Sequence, residues 1–415
     1  MIPAILALLS QSAQDPPIWR PIQLVKTIIG TPTGRNGYEE YLMAAEAMHN
    51  PKFEDAYRNL TSSGPGQDTW LASRVAVAAQ SGSARQLVLE GNRKEVFDPR
   101  SFTQDTLFPD LVYLKMVARY LPIQATVEFS QGQNKRGAET LLGGLVFSGK
   151  LSGTGVLLSF LVSMATNSII LAGYSENLER IPLSSWDSVV NYCNEALSLN
   201  PLKRSILLEL DGVPGNVDYV FINPREWGGV FGDLDDQTAD MVDRIKSLSA
   251  TQRQAVKARV LERVAAYRRV FIQAMDQDES KWVLSTSALE NVAQREEPDP
   301  LVQWILDSSL AVYSQAYPSE LKRRAQLRIL RLHGLIQSHR WRTGVLPGSL
   351  KDLDNDPACA DPLSGSWFCY EPTEDGYQLY SKGGSGMTRV DLGFKRPVSS
   401  DSGDEPSPPA RPQAR

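Results

Sequence analysis

Residues that commonly carry chemistry are scarce in this chain. Its 415 residues include three histidines and three cysteines. His49 stands alone. His333 and His339 are six positions apart and so face different sides of a helix, unlike the four-residue spacing that chelates zinc. The sequence holds no H-E-x-x-H, no Cys-x-x-Cys pair and no G-x-x-x-x-G-K, which argues against a metal or P-loop enzyme. An excess of one charge is missing too. The 43 basic and 48 acidic residues leave a formal charge of −5, which gives no electrostatic reason to expect nucleic acid. Lys322-Arg323-Arg324 and the basic residues from Arg328 to Arg342 alternate with apolar ones at helical spacing and read as a solvated helix flank. Apart from the N-terminus, the only long apolar run is Leu157 to Leu171. It is diluted by Ser159, Ser163, Thr166, Asn167 and Ser168. A membrane span wants about 20 predominantly apolar residues, so this run reads as a core helix, and no transmembrane helix is expected once a leader is removed.

Nucleophile signatures are equally thin. Gly383-Gly384-Ser385-Gly386 lacks a G-x-S-x-G frame. Ser319-Glu320-Leu321-Lys322 fits S-x-x-K, but Ser319 follows Pro318, where a helix is expected to restart, and reads as its N-cap. Asp233, Asp235 and Asp236 precede Thr238 and suit the positive end of a helix better than a cation. No catalytic residue, cofactor or metal is expected.

What is present organises the chain into five stretches. Residues 1–14 carry the apolar run Ile2 to Leu9 followed by small residues, the pattern of a cleaved export signal. Residues 15–37, rich in Pro and Gly, are expected to be an extended linker. Residues 38–315 form a helical body. In it, Leu111, Leu114, Val117 and Ala118 predict one helix, and Ile123 to Phe129 a second that Gly132 ends. The stretch 132–151 resembles a tetratricopeptide-type hairpin. No strict period repeats, so a degenerate array and a plain bundle both remain open. Ser249-x-x-Gln252 fits a capping box opening a helix to about Gln277. Within the body, residues 211–236 break the pattern. Val217, Tyr219 and Phe221 alternate with Asp218 and Val220 and predict a short strand in a long loop. Residues 396–415 lack apolar anchors and are expected to be disordered.

The stretch 318–395 carries the most specific pattern. A helix runs into Gly344, Leu346 and Pro347, then Leu350 and Leu353. Asp361-Pro362-Leu363-Ser364-Gly365, Phe368, Tyr370 and Asp375-Gly376-Tyr377-Gln378-Leu379-Tyr380-Ser381 follow. This order resembles the globular part of type II secretion major pseudopilins. The resemblance implies a small α+β module, a helix set against two or three antiparallel strands. The family's calcium loop is in doubt here, because Ser385-Gly386 stands where it has an Asp-Gly. The family's long N-terminal polymerising helix is not recognisable ahead of this module. Along the helix, Leu321, Ala325, Ile329, Leu332 and Ile336 fall on one side, and Leu327, Leu330 and Gly334 on the other. A helix apolar on two sides is buried on two sides, one against the mini-sheet and one against the body.

Cys359 and Cys369 flank the D-P-x-S-G turn. In an exported protein a disulfide between them is permitted and would stabilise by about 2–3 kcal/mol. In a reducing compartment they would pack as thiols beside Trp367 and Phe368. Cys193 is expected to be a buried, inert thiol. The leading functional expectation is an exported, periplasmic or cell-envelope scaffold without catalysis, holding a protein or peptide partner on its helical body. Two alternatives stand beside it: an accessory of a secretion or pilus-like system, and an enzyme whose site gathers Arg225, Trp227 and the acidic run in the 211–236 loop.

Overall fold

The computed structural model describes residues 22–60, 68–100, 108–224, 236–277, 279–282, 289, 291–292, 297–353, 359–373, 376–383 and 390–391. The expected signal segment 1–14, the tail 396–415, the Ser385-Gly386 loop, and Arg225, Trp227, Asp233 and Asp235 lie outside the described residues.

The protein is mainly helical with a small antiparallel sheet near its C-terminus. The 15–37 stretch is not wholly extended. Val25–Ile29 makes a π-helical turn that buries Leu24 and Val25, and the Val25 N–H donates to Glu46 Oε1 at 3.0 Å. Helices α1 (Gly37–Met48) and α2 (Pro51–Arg58) start where Asn36 and Asn50 accept from backbone N–H groups, and Pro51 takes the position whose N–H would be orphaned anyway. They are followed by α3 (Asp68–Gln80) and α4 (Ala84–Gly91).

Helices α5 (Asp110–Ser130), α6 (Asn134–Ser152) and α7 (Leu157–Asn177) pack mutually as a trio at the centre of the body. Two expectations are corrected here. Residues 111–129 form one helix, not two, which continues through Pro122. Residues 134–152 form a single helix, not a hairpin. Pro122 fits because Gly173 of α7 lies against its ring, and a methyl added at Gly173 would sit 2.7 Å from Pro122 Cβ. Gly132, at φ +73°, makes the turn between α5 and α6. The stretch Leu157–Arg180 is long and apolar enough to cross a membrane, with mean hydropathy 1.6. Here α7 packs against α5, α6 and later helices in the core.

Helix α8 (Leu183–Ser198) leads into α9 (Pro201–Ile222). The strand expected over Val217 to Phe221 is the end of α9. Leu210, Val213, Val217 and Val220 are all buried, so the recurrence of three and four wins over the apparent alternation. Helices α10 (Asp236–Ser247) and α11 (Ala250–Met275) follow, and α11 opens with the expected reciprocal capping box of Ser249 and Gln252.

The last helix, α12 (Pro300–Thr343), runs 44 residues from the Asp299 cap to Gly344 in the left-handed region. The expected break at Pro318 does not occur, so Ser319 is a mid-helix residue and not an N-cap. Both apolar stripes of α12 are buried as expected. A methyl at Gly334 would meet Val190 and Trp186, placing the second stripe on α8. On another face of the helix His333 meets Tyr377 of the sheet. That sheet is the meander β1 (Cys369–Thr373), β2 (Gly376–Ser381) and β3 (Val390–Asp391), with Cys369 opposite Tyr380 and Tyr380 opposite Asp391.

Candidate functional site

The D-P-x-S-G segment is a turn, as expected, and Asp361 organises it. Its buried carboxylate accepts from the Leu363 N–H at 3.0 Å, Ser364 Oγ at 2.6 Å and Ser381 Oγ at 2.7 Å. These bonds join the turn to β2, and every one is spent on structure. Cys359 and Cys369 are not joined to each other in this fold. Ala360 pairs with Trp367, and the Phe368 N–H donates to Cys359 O at 3.0 Å. Cys359 therefore stands across from Phe368, and Cys369, one residue on, projects from the other face because successive strand residues alternate.

Two further nucleophile or base candidates are sealed. Cys193 is fully buried on α8, and burial pushes its thiol up to about 12. His333 is buried between α12 and the sheet. It shares a hydrogen bond of 2.7 Å with Tyr377 Oη, and burial draws its imidazole down to about 3. The Cys193 thiol is thereby held in its unreactive protonated form, and the His333 imidazole, neutral near pH 7, is sealed from solvent and too weak a base to draw a proton.

The basic run on α12 is a solvated flank only in part: Lys322, Arg340 and Arg342 are exposed, but Arg323 and Arg324 are not. Arg323 and Arg324 are buried, and Glu320, wholly buried, accepts from both. Arg324 also donates to Leu197 O at 2.6 Å and Leu199 O at 3.0 Å, closing the end of α8 where carbonyls lack helical partners. Its neighbour Arg328 donates to Ala360 O at 2.8 Å and, at 2.7 Å, to Glu279, which Arg324 shares. These arginines tie the module to the body.

Among the described residues, one surface feature with room for a partner is a cleft of about 640 Å³. Its walls are Phe97 and Asp98 before α5, Thr154 and Gly155 in the α6–α7 turn, and the first turns of α9 from Asn200 to Asp211. Local chemistry fixes each wall. Asp98 is held by Arg100, whose Nε donates to it at 2.8 Å while Nη1 reaches Asp110 at 2.8 Å. Tyr38 donates to the same Asp110, and burial first, then that carboxylate, raises the phenol well above its ordinary value. Thr154 Oγ1 donates to Leu151 O at 2.8 Å, ending α6. Glu209 Oε1 accepts from the Leu157 N–H at 3.0 Å, so a residue of α9 caps α7. Asn200 caps α9 by accepting from the Lys203 N–H at 3.0 Å.

The mouth of the cleft exposes two large apolar side chains, Phe97 at 48% and Leu208 at 40%. Sequence reasoning did not single out Phe97, Arg204 or Leu208. The lone signal was Lys203-Arg204 just inside the helix start at Asn200-Pro201. Of the alternative site in 211–236, Asp211 lines this cleft, on a helix and not in a loop. Among the described residues no group of His, Cys, Asp and Glu is arranged to hold a metal. No family model matches the chain, and no curated protein or solved structure is significantly similar to it.

Proposed function

We propose that this chain is an exported scaffold that holds a protein partner in the cleft between the Phe97 segment and α9. The observation that carries the reading is the mouth of that cleft, where Phe97 and Leu208 stay exposed beside charged groups. Interfaces place apolar anchors in such surroundings, with a polar rim. Export is supported by the Ile2 to Leu9 run and the small residues after it. Absence of catalysis is supported by the sealing of Cys193 and His333 and by the commitment of Asp361 to its turn. A photocrosslinking side chain at Leu208, compared with one at exposed Val112 outside the cleft, tests the reading in the full chain. A discrete adduct from position 208 alone, lost on Leu208→Asp in a second labelled position of the cleft, is the expected result. Identical adduct patterns from both positions would remove the cleft as the partner site.

A second reading, an accessory role in a secretion or pilus-like assembly, is supported by the module. Its helix, Asp361 turn and meander follow the order of the pseudopilin-like pattern, and Tyr370 Oη donates to Pro347 O at 2.9 Å within it. A degenerate helical array is the matching reading of the body. Reconstitution with the filament components of a secretion system, read by co-sedimentation, separates this role from a free-standing scaffold.

A further inference from the structure

We infer that the cleft recognises the free C-terminal carboxylate of a partner peptide ending in an apolar residue, an inference that rests on the partner-binding reading above.

The cleft's polar groups are almost all committed. Lys203 pairs with Asp276, Asp211 with Arg268, and Asp98 with Arg100. The Thr154 hydroxyl and the Asn200 carbonyl are spent on helix ends. Arg204 is the exception. It lines the cleft and is exposed, and its guanidinium has neither hydrogen bond nor ion pair among the described residues. One uncompensated guanidinium calls for one monoanion, and a carboxylate matches its planar fork bidentately. A phosphate dianion fits worse, since one guanidinium leaves its second charge without a partner.

The apolar half of the ligand follows from helix geometry. Leu207 and Leu208 stand three and four residues after Arg204 on α9, so they are its surface neighbours, with Cβ atoms roughly 5–6 Å apart. Phe97 completes the apolar wall. A ligand must therefore present an anion and an apolar group within one residue's reach. The last residue of a peptide does so, because its carboxylate and side chain leave the same Cα. An internal Asp or Glu carries no apolar group of its own. The volume of about 640 Å³ lies within the range of clefts that bury most of a small ligand.

The test uses the full chain and pools of octapeptides ending in Leu, Ile, Val or Phe, each pool made with a free C-terminus and as the amide. Octanoate serves as a non-peptide carboxylate. Binding is read by calorimetry on the wild type, Arg204→Ala and Leu208→Asp. Both positions are exposed, and circular dichroism confirms that each variant folds. Free acids should bind the wild type at least tenfold tighter than amides, and Arg204→Ala should bring acids down to the amide level. Equal binding of acid and amide overturns the carboxylate inference. If Leu208→Asp then weakens both, the cleft remains a partner site. Octanoate binding as tightly as the peptides replaces the peptide with a simple amphiphilic anion. No binding by any pool overturns the inference, and the crosslinking comparison then decides the broader reading separately.

Discussion

Two seams of this protein are closed by opposite means. In the α5–α6–α7 trio, helices meet through close approach: Gly173 receives the Pro122 ring, and a methyl at Gly144 would lie 2.6 Å from Ile170. Where α12 meets the end of α8 and the module, the contacts are charged or polar: Glu320 with two arginines, Glu279 with two, and His333 with Tyr377. The first seam gains from packing and has no slack for volume. The second pays for desolvation with paired charges, which makes it sensitive to charge and pH. Similar burial thus gives different vulnerabilities.

The largest effect is expected where a charge loses its buried partner. Glu320→Ala leaves Arg323 buried without its carboxylate, and urea unfolding should show a loss of about 3–5 kcal/mol. A loss below about 1 kcal/mol would mean that the charges merely decorate an apolar seam. Acid comes next. His333 titrates lower in the folded protein, about 3, than its ordinary 6.5. The unfolded chain therefore binds the extra proton between those values. This contribution is fully present above pH 6.5 and is lost as pH falls toward 3, on the order of 2 kcal/mol by pH 5. A series of urea midpoints from pH 7 to 5 should show this slope, and His333→Leu should flatten it.

Added volume should tell at the other seam. Gly173→Ala sets a methyl against a rigid proline ring. Overpacking of about 1–3 kcal/mol, less the roughly 1 kcal/mol that Ala gains in a helix, leaves a net loss of up to about 2 kcal/mol with no pH dependence. A stabilised variant would show that the trio has slack. The smallest effect is a control outside both seams. Ser249→Ala removes the capping box of α11 and should cost about 1 kcal/mol in thermal or urea unfolding.

Much of the helical layout was legible because it is written in local chemistry. The Ser249 box, the Gly344 stop and the two stripes of α12 need only neighbours in sequence. The errors concentrate at prolines. Pro122, Pro214 and Pro318 all sit inside helices, although a mid-helix proline costs about 3 kcal/mol. Pro122 is accommodated by a glycine 51 positions away in sequence, which no local reading anticipates. Pro214 and Pro318 are exposed, so their rings stand on the solvent side of their helices and crowd no neighbouring element. The placing of Cys359 and Cys369 turns on register, since one residue of offset moves a side chain to the other face. The cleft was illegible for a different reason. Phe97, Gly155 and Arg204 meet only once three separate connections have folded, and an exposed Leu208 looks in sequence like any core leucine.

The pairing of α8 with α12 also sets a timetable for folding. Arg324 closes the end of α8 across 127 positions of chain, and the Trp186 face of α8 waits as long for Gly334. At a synthesis rate of about 5–20 residues per second, that face stays uncovered for roughly ten seconds while the intervening helices emerge. The apolar face of α8 is therefore closed only when α12, the last helix of the body, is laid down.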